Sequence, residues 1–158
     1  MALIGNLVWF IFGGFLIGLV YFIGSIILFP LFPFLTPLVG YAFWPFGRRP
    51  VSKSAIKAYK IENNMDVDED AFAKAGGIII LLANSLWFIF GIILAILHLI
   101  AGVINLVLCV VVVSIPVCLP NALAHFKMIR VALFPFGVNL ISTSLAEDIL
   151  KSKAKSKL

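Results

Sequence analysis

The chain has 158 residues, 63% of them hydrophobic and 12% charged, with a formal net charge of +5 and a mean hydropathy of +1.16. Soluble domains carry about 25% charge, and here Met1–Gly47 and Ala75–Phe126 hold no Lys, Arg, Asp or Glu at all. A soluble globular protein is excluded, and so is a nucleic-acid role for the bases, which lie beside apolar runs longer than the ~20 residues of one spanning helix.

Leu3 to Phe29 reads as a first spanning helix, about 40 Å long at the helical rise. It lacks a basic leader and a small-x-small cleavage pattern, so the expectation is a retained helix, not a signal peptide. Gly14, Gly18, Tyr21 and Ser25 share one helical face, which suits packing within the chain or association between copies, because small residues let another backbone come close. Pro30, Pro33 and Pro37 then interrupt the pattern. Leu38 to Phe46 is too short for a full helical crossing, so it forms a short irregular crossing or a re-entrant segment. Trp44, Arg48 and Arg49 flank Pro45-Phe46-Gly47 as membrane-surface anchors.

The polar loop that follows is basic first and acidic second, with an amphipathic helix expected over 54–61. Its run Asp66-Val67-Asp68-Glu69-Asp70 has Ala71 and Gly77 where a calcium loop needs Gly and Glu, so it reads as a solvated acidic face. The second apolar run suits two crossings, with a break expected between His98 and Gly102. Asn84, Gly91, His98 and Asn105 recur every seven residues, and Asn84, His98 and Asn105 are the candidate polar stripe of a pore. Intramembrane ionisable residues are functional candidates by default; the plainer role for His98 is a hydrogen bond to a neighbouring helix. Cys109 and Cys118 read as packing residues, without support for a disulfide framework or a zinc site. Asn121 to Phe134 reads as an interfacial amphipathic helix, with Lys127 and Arg130 as anchors and His125 facing headgroups. Ser144-Leu145-Ala146-Glu147 fits a capping box opening a short helix in a lysine-rich tail.

The bases place both polar segments on the cytoplasmic side. An even number of crossings must then separate them. The fold expected is an all-α integral membrane protein of about four crossings, with two long crossings plus re-entrant remainders as the alternative. Its divisions are a membrane repeat at 1–47, a cytoplasmic loop at 48–75, a second membrane repeat at 76–137 and a basic tail at 138–158. No catalytic constellation, metal set or phosphate loop is present in the sequence, so neither an enzyme nor a cofactor is expected.

The two repeats are written in the residues. Asn6-Leu7-Val8-Trp9-Phe10-Ile11-Phe12-Gly13 returns as Asn84-Ser85-Leu86-Trp87-Phe88-Ile89-Phe90-Gly91, and each copy closes on Pro-Phe-Gly, at 45–47 and 135–137. Such self-similarity marks a duplicated unit, here with both copies parallel. Together with Ser114-Ile115-Pro116 and Phe126-Lys127, this doubled order resembles the YccF-type inner membrane component family, departing from it in Ser114, in Phe134 and in the proline-rich first copy. The resemblance implies a bacterial-type inner-membrane location and supplies no catalytic residues. The functional expectation is a small homo-oligomeric channel or transporter subunit for an ion or small solute, in contact with the lipid bilayer. The alternative is a structural or regulatory component that docks partners through its loop and tail.

Overall fold

The structure is a computed structural model that describes residues 2–67, 74 and 76–155. Most of the acidic run (Asp68, Glu69 and Asp70) and the last tail lysine, Lys157, lie outside the described residues. Lipid offers the backbone no hydrogen-bond partners, so an uncharged run must satisfy its peptide groups internally, as helix. The first run does so as α1 (Ala2–Trp9), a π-helical turn (Phe10–Gly14) and α2 (Phe15–Ile27). A 3-10 turn over Phe29–Leu31 reverses the chain into α3 (Phe32–Phe43), which packs on α2. Pro37 lies inside α3, where its missing N–H leaves the carbonyl of Pro33 without its helical donor. The Thr36 hydroxyl donates to that carbonyl at 2.8 Å, so the helix continues.

Beyond Gly47, whose φ of +91° suits the residue without a Cβ, come β1 (Arg48–Ser52) and α4 (Lys53–Glu62). Then α5 runs unbroken from Gly77 to Leu108. The expected break at His98–Gly102 is absent. His98 finds side-chain partners, Asn105 donates back to Ala101 O at 2.9 Å, and Gly102 gives room to the Phe126 ring. No polar group there needs the helix to open. After a turn, α6 (Ile115–Leu133) returns along α5. The stretch expected to lie as an interfacial helix is therefore the second half of α6, with Asn121, Ala122, His125, Met128 and Ala132 buried. The chain closes with β2 (Val138–Ser142) and α7 (Thr143–Lys155).

Two departures concern the polar ends. Cys109 and Cys118 form a disulfide that ties the end of α5 to the start of α6, correcting their reading as packing thiols. Nine residues apart on one helix they could not meet; the hairpin turn brings their Cα atoms to 5.7 Å. The loop and tail, expected as separate segments, are joined. β1 pairs antiparallel with β2 from Arg48↔Ser142 to Ser52↔Val138, and α4 packs on α7 around Val51, Ala146 and Ile149. The helix start expected at Ser144 lies at Ser142, whose hydroxyl accepts from Leu145 N–H at 3.4 Å, as Ser52 accepts from Ala55 N–H at 3.3 Å.

Among the described residues three helices are long and apolar enough to cross a membrane, Ala2–Ile27, Gly77–Leu108 and Val112–Leu133, with Phe29–Phe43 a shorter apolar helix. The outer faces carry exposed Leu, Ile, Val and Phe, and the buried core lies between the α2–α3 and α5–α6 hairpins around Trp9, Tyr21, Leu35, Trp87, Leu94 and Met128.

Candidate functional site

The repeated motif is a pair of latches. Asn6 grips the backbone of Phe46, its Nδ2 donating to Phe46 O at 3.0 Å and its Oδ1 accepting from Phe46 N–H at 2.8 Å. Asn84 Oδ1 accepts from Phe136 N–H at 3.4 Å. Trp9 Nε1 donates to Ala42 O at 2.8 Å, and Trp87 Nε1 to Ala132 O at 2.7 Å. Each latch fastens the start of a long helix to the end of its shorter partner, at the end of the bundle that carries the strand pair. Asn84, the first member of the candidate pore stripe, is one of these latches, and it is buried.

Midway along α5 the second stripe member behaves differently. His98 is 0% exposed and holds two partners: its Nε2 is 3.1 Å from the Tyr21 hydroxyl, and its Nδ1 is 3.0 Å from His125 Nδ1. Three protons share two hydrogen bonds, so one is left over, and only the His125 end opens on a space that can receive it. Tyr21 O–H donates to His98 Nε2 and His98 Nδ1–H donates to His125 Nδ1, which leaves His125 with its proton on Nε2. In the opposite polarity the Tyr21 proton has no acceptor, because among the described residues its hydroxyl touches only His98. The Tyr21 end is closed by Trp87, stacked at 6.3 Å between centroids. The His125 ring packs on Trp9 at 4.5 Å.

The His125 end is open. It lines a groove of about 570 Å³ walled by Phe12, Ile17, Ile104 and Leu108 and running to Val111 and Ser114 at the disulfide end. Besides Ser114 at its far end, three residues with amide or imidazole side chains line this mostly apolar space: His125, Asn121 and Asn105. Asn121 is 4% exposed, and among the described residues its amide makes no hydrogen bond. No described side chain leaves a fully buried polar atom unpartnered, so the Asn121 amide is open to the groove. Gly13 also faces the groove, with φ +133° in the π-helical turn; such single-turn insertions recur at functional sites.

The sequence-predicted residues therefore divide. Asn84 latches, His98 centres the hydrogen-bonded chain, and half-buried Asn105 stands in the groove; the three do not line one continuous path. Gly14, Gly18, Tyr21 and Ser25 are all buried within the chain, so this face packs internally: Gly14 against Trp9, Gly18 against Phe43, and Tyr21 against His98. Of the surface anchors, Trp44, Arg48, Lys127 and Arg130 are exposed, and Arg49 pairs with Glu147 at 4.0 Å. His125 was expected at headgroups beside Lys127 and is buried instead. The signal was present: residues two apart on a helix point about 200° apart, so the exposed Lys127 turns His125 inward, in line with Met128 and Ala132.

Comparison with known proteins gives one finding. Residues 82–138 match the family model YccF, inner membrane component domain, which covers the second copy from the Asn84 latch to Pro-Phe-Gly. No curated protein and no solved structure matches the chain. With its apolar helices, the match makes this a membrane protein.

Proposed function

We propose that the chain is a small transporter-like membrane protein that admits an ion or small polar solute through a one-sided groove to His125. The observation that carries this reading is the hydrogen-bonded chain Tyr21–His98–His125 ending on that groove. With its Nε2–H toward the groove, His125 donates to an occupant that carries an acceptor, so occupancy of the groove and the hydrogen bonding of the buried pair are linked. The groove lies within one chain, so transport here needs no ring of copies. A ring pore lined by Asn84, His98 and Asn105 loses support, because Asn84 and His98 are buried inside the chain. The reading has no catalytic step.

Four crossings with parallel halves fit this reading, since β1–β2 pairing holds both basic segments at one end. Their bases favour the cytoplasmic side, and the disulfide, at the far end, then faces an oxidising compartment, where disulfides persist. The test is flux of protons, cations and small solutes in liposomes whose detergent-solubilised protein has been sized first. His125→Ala and Asn121→Ala should lower flux at least about tenfold, the effect of one lost ~1.4 kcal/mol contact in the rate-limiting state; unchanged flux sinks the proposal.

A second reading has its own observation. Loop and tail form one folded cap, with the Ser152 hydroxyl donating to the Glu62 carboxylate between α4 and α7. A regulatory component would present this cap to a partner. It would keep partner binding in His125→Ala and lose it in Val51→Asp, which charges the buried centre of the cap.

A further inference from the structure

At the end of α6, beneath the strand pair, two adjoining clefts share the side chains of Arg49 and Lys127. One, about 200 Å³, adds Arg130 and the apolar walls Val51 and Val131; the other, about 250 Å³, adds Arg48 and Glu147. Four cations thus converge on a space with one carboxylate, and that carboxylate is 4.0 Å from Arg49. Among the described residues Arg48, Lys127 and Arg130 have no ion pair at all. Arg49 and Lys127 line both clefts, so an anion seated there meets two positive side chains at once.

We propose that this pair of clefts is a binding site for the phosphate of an anionic lipid headgroup. Arg49 offers a planar fork of donors matched to phosphate oxygens, and Lys127 and Arg130 reach in from α6, one helical turn apart. The apolar wall of Val51, Val131 and Leu150 suits the glycerol and first methylenes of the lipid. Position agrees as well, since basic pockets between helices at the polar edge of a bilayer take such headgroups. The site is one-sided. Where α6 has Lys127 and Arg130, α3 has Pro37 and Gly40, and Asn139 of β2 stands where β1 has Arg49. The clefts therefore have no counterpart at the end of α3, and they share no lining residue with the groove and its histidines.

The test uses the full purified chain in a neutral detergent, titrated separately with phosphatidylglycerol, phosphatidylcholine and inorganic phosphate, and followed by its thermal unfolding midpoint. Phosphatidylglycerol should raise the midpoint and phosphatidylcholine should not. Lys127→Gln and Arg130→Gln should each weaken phosphatidylglycerol binding about fivefold, the worth of one base near an anionic surface. Lys151→Gln removes the same charge from exposed α7 and should leave binding unchanged. Both cleft residues are exposed, so these variants should unfold at the wild-type midpoint without lipid. Inorganic phosphate acting alone, with the same dependence on Lys127 and Arg130, would keep the phosphate chemistry and assign it a soluble source. Equal losses in Lys151→Gln, or equal midpoints with the two lipids, would overturn the site.

Discussion

Asn6 and Trp9, with their counterparts Asn84 and Trp87, explain why one motif recurs in a chain with so few polar residues. Each indole meets a carbonyl three residues before the closing Pro-Phe-Gly, and each amide meets the backbone of the Phe within it. The spacing is a fastening, and it needs no catalytic explanation. Trp87→Phe keeps the ring in the core while removing its N–H, which leaves Ala132 O buried and unpaired. The expected loss is about 1 kcal/mol, the scale of interhelical hydrogen bonds in membranes. It is read as a lowered unfolding midpoint in detergent, and an unchanged midpoint would remove the latch from the account. Residue by residue, the sequence was readable where a side chain repeats and unreadable where two copies meet. His98 stood out as the one ionisable group deep in an apolar run. Its partners Tyr21 and His125 lie on two other helices, and no local pattern records a contact 77 or 27 positions away.

Between elements, one inserted residue decides which positions correspond. Read without gaps, the motif sets Gly13 against Gly91. The π-helical turn adds a residue to the first helix, so Gly14, five after Trp9, takes the place of Gly91, four after Trp87; both glycines lie against the indole of their own motif. Seven residues further on, the matched positions are Tyr21 and His98, which bond to each other. The packing face and the polar stripe, distinct in the sequence, are thus the same stripe of two related helices turned toward one another. Glycines along these helices have opposite roles, and that gives a test with opposite signs. A Cβ on Gly91 would lie 2.6 Å from Ala132 O, a backbone atom of α6 that cannot swing aside, whereas one on Gly40 meets nothing within 4 Å. Gly91→Ala should separate α5 from α6 and lower the unfolding midpoint, with a cost of about 1–3 kcal/mol for overpacking. Gly40→Ala, inside α3, should raise it, since Ala is favoured over Gly in a helix by about 1 kcal/mol. If the two variants shift stability in the same direction, helix spacing here is not set by Gly91. The disulfide escaped the sequence reading at this same scale. Cys109 is followed by Val110–Val113, a run without Gly or Pro, and the one proline before Cys118, Pro116, sits in the first turn of α6, so the punctuation marked a helix start and not a pairing.

For the molecule as a whole, the likeness between the two halves extends beyond their apolar parts. After each Pro-Phe-Gly comes a strand, then a Ser that caps a helix, at 52 and again at 142. The sequences of these segments differ too much for the loop and tail to be matched by eye. The strands pair about Pro50↔Leu140, so the strand pair has a local two-fold axis through those residues. On the proposed parallel arrangement such an axis runs along the helices, with both polar segments at one end and the disulfide at the other. On the proposed orientation this has a direct consequence for access. Ser54→Cys and Lys151→Cys, each in a chain with Cys109→Ser and Cys118→Ser, should react with a membrane-impermeant maleimide in inverted vesicles and resist it in intact cells. The native Cys109 and Cys118, once reduced by an impermeant phosphine, should show the reverse. Both are bound by the hairpin turn at the far end, so their labelling from the same side as Ser54→Cys would refute a four-crossing bundle. Labelling of Ser54→Cys and Lys151→Cys from opposite sides would be more damaging still, because strands on opposite faces of a bilayer cannot share hydrogen bonds. The pairing of β1 with β2 therefore ties the crossing number to parity: whatever lies between the two polar segments must leave and return through the same face.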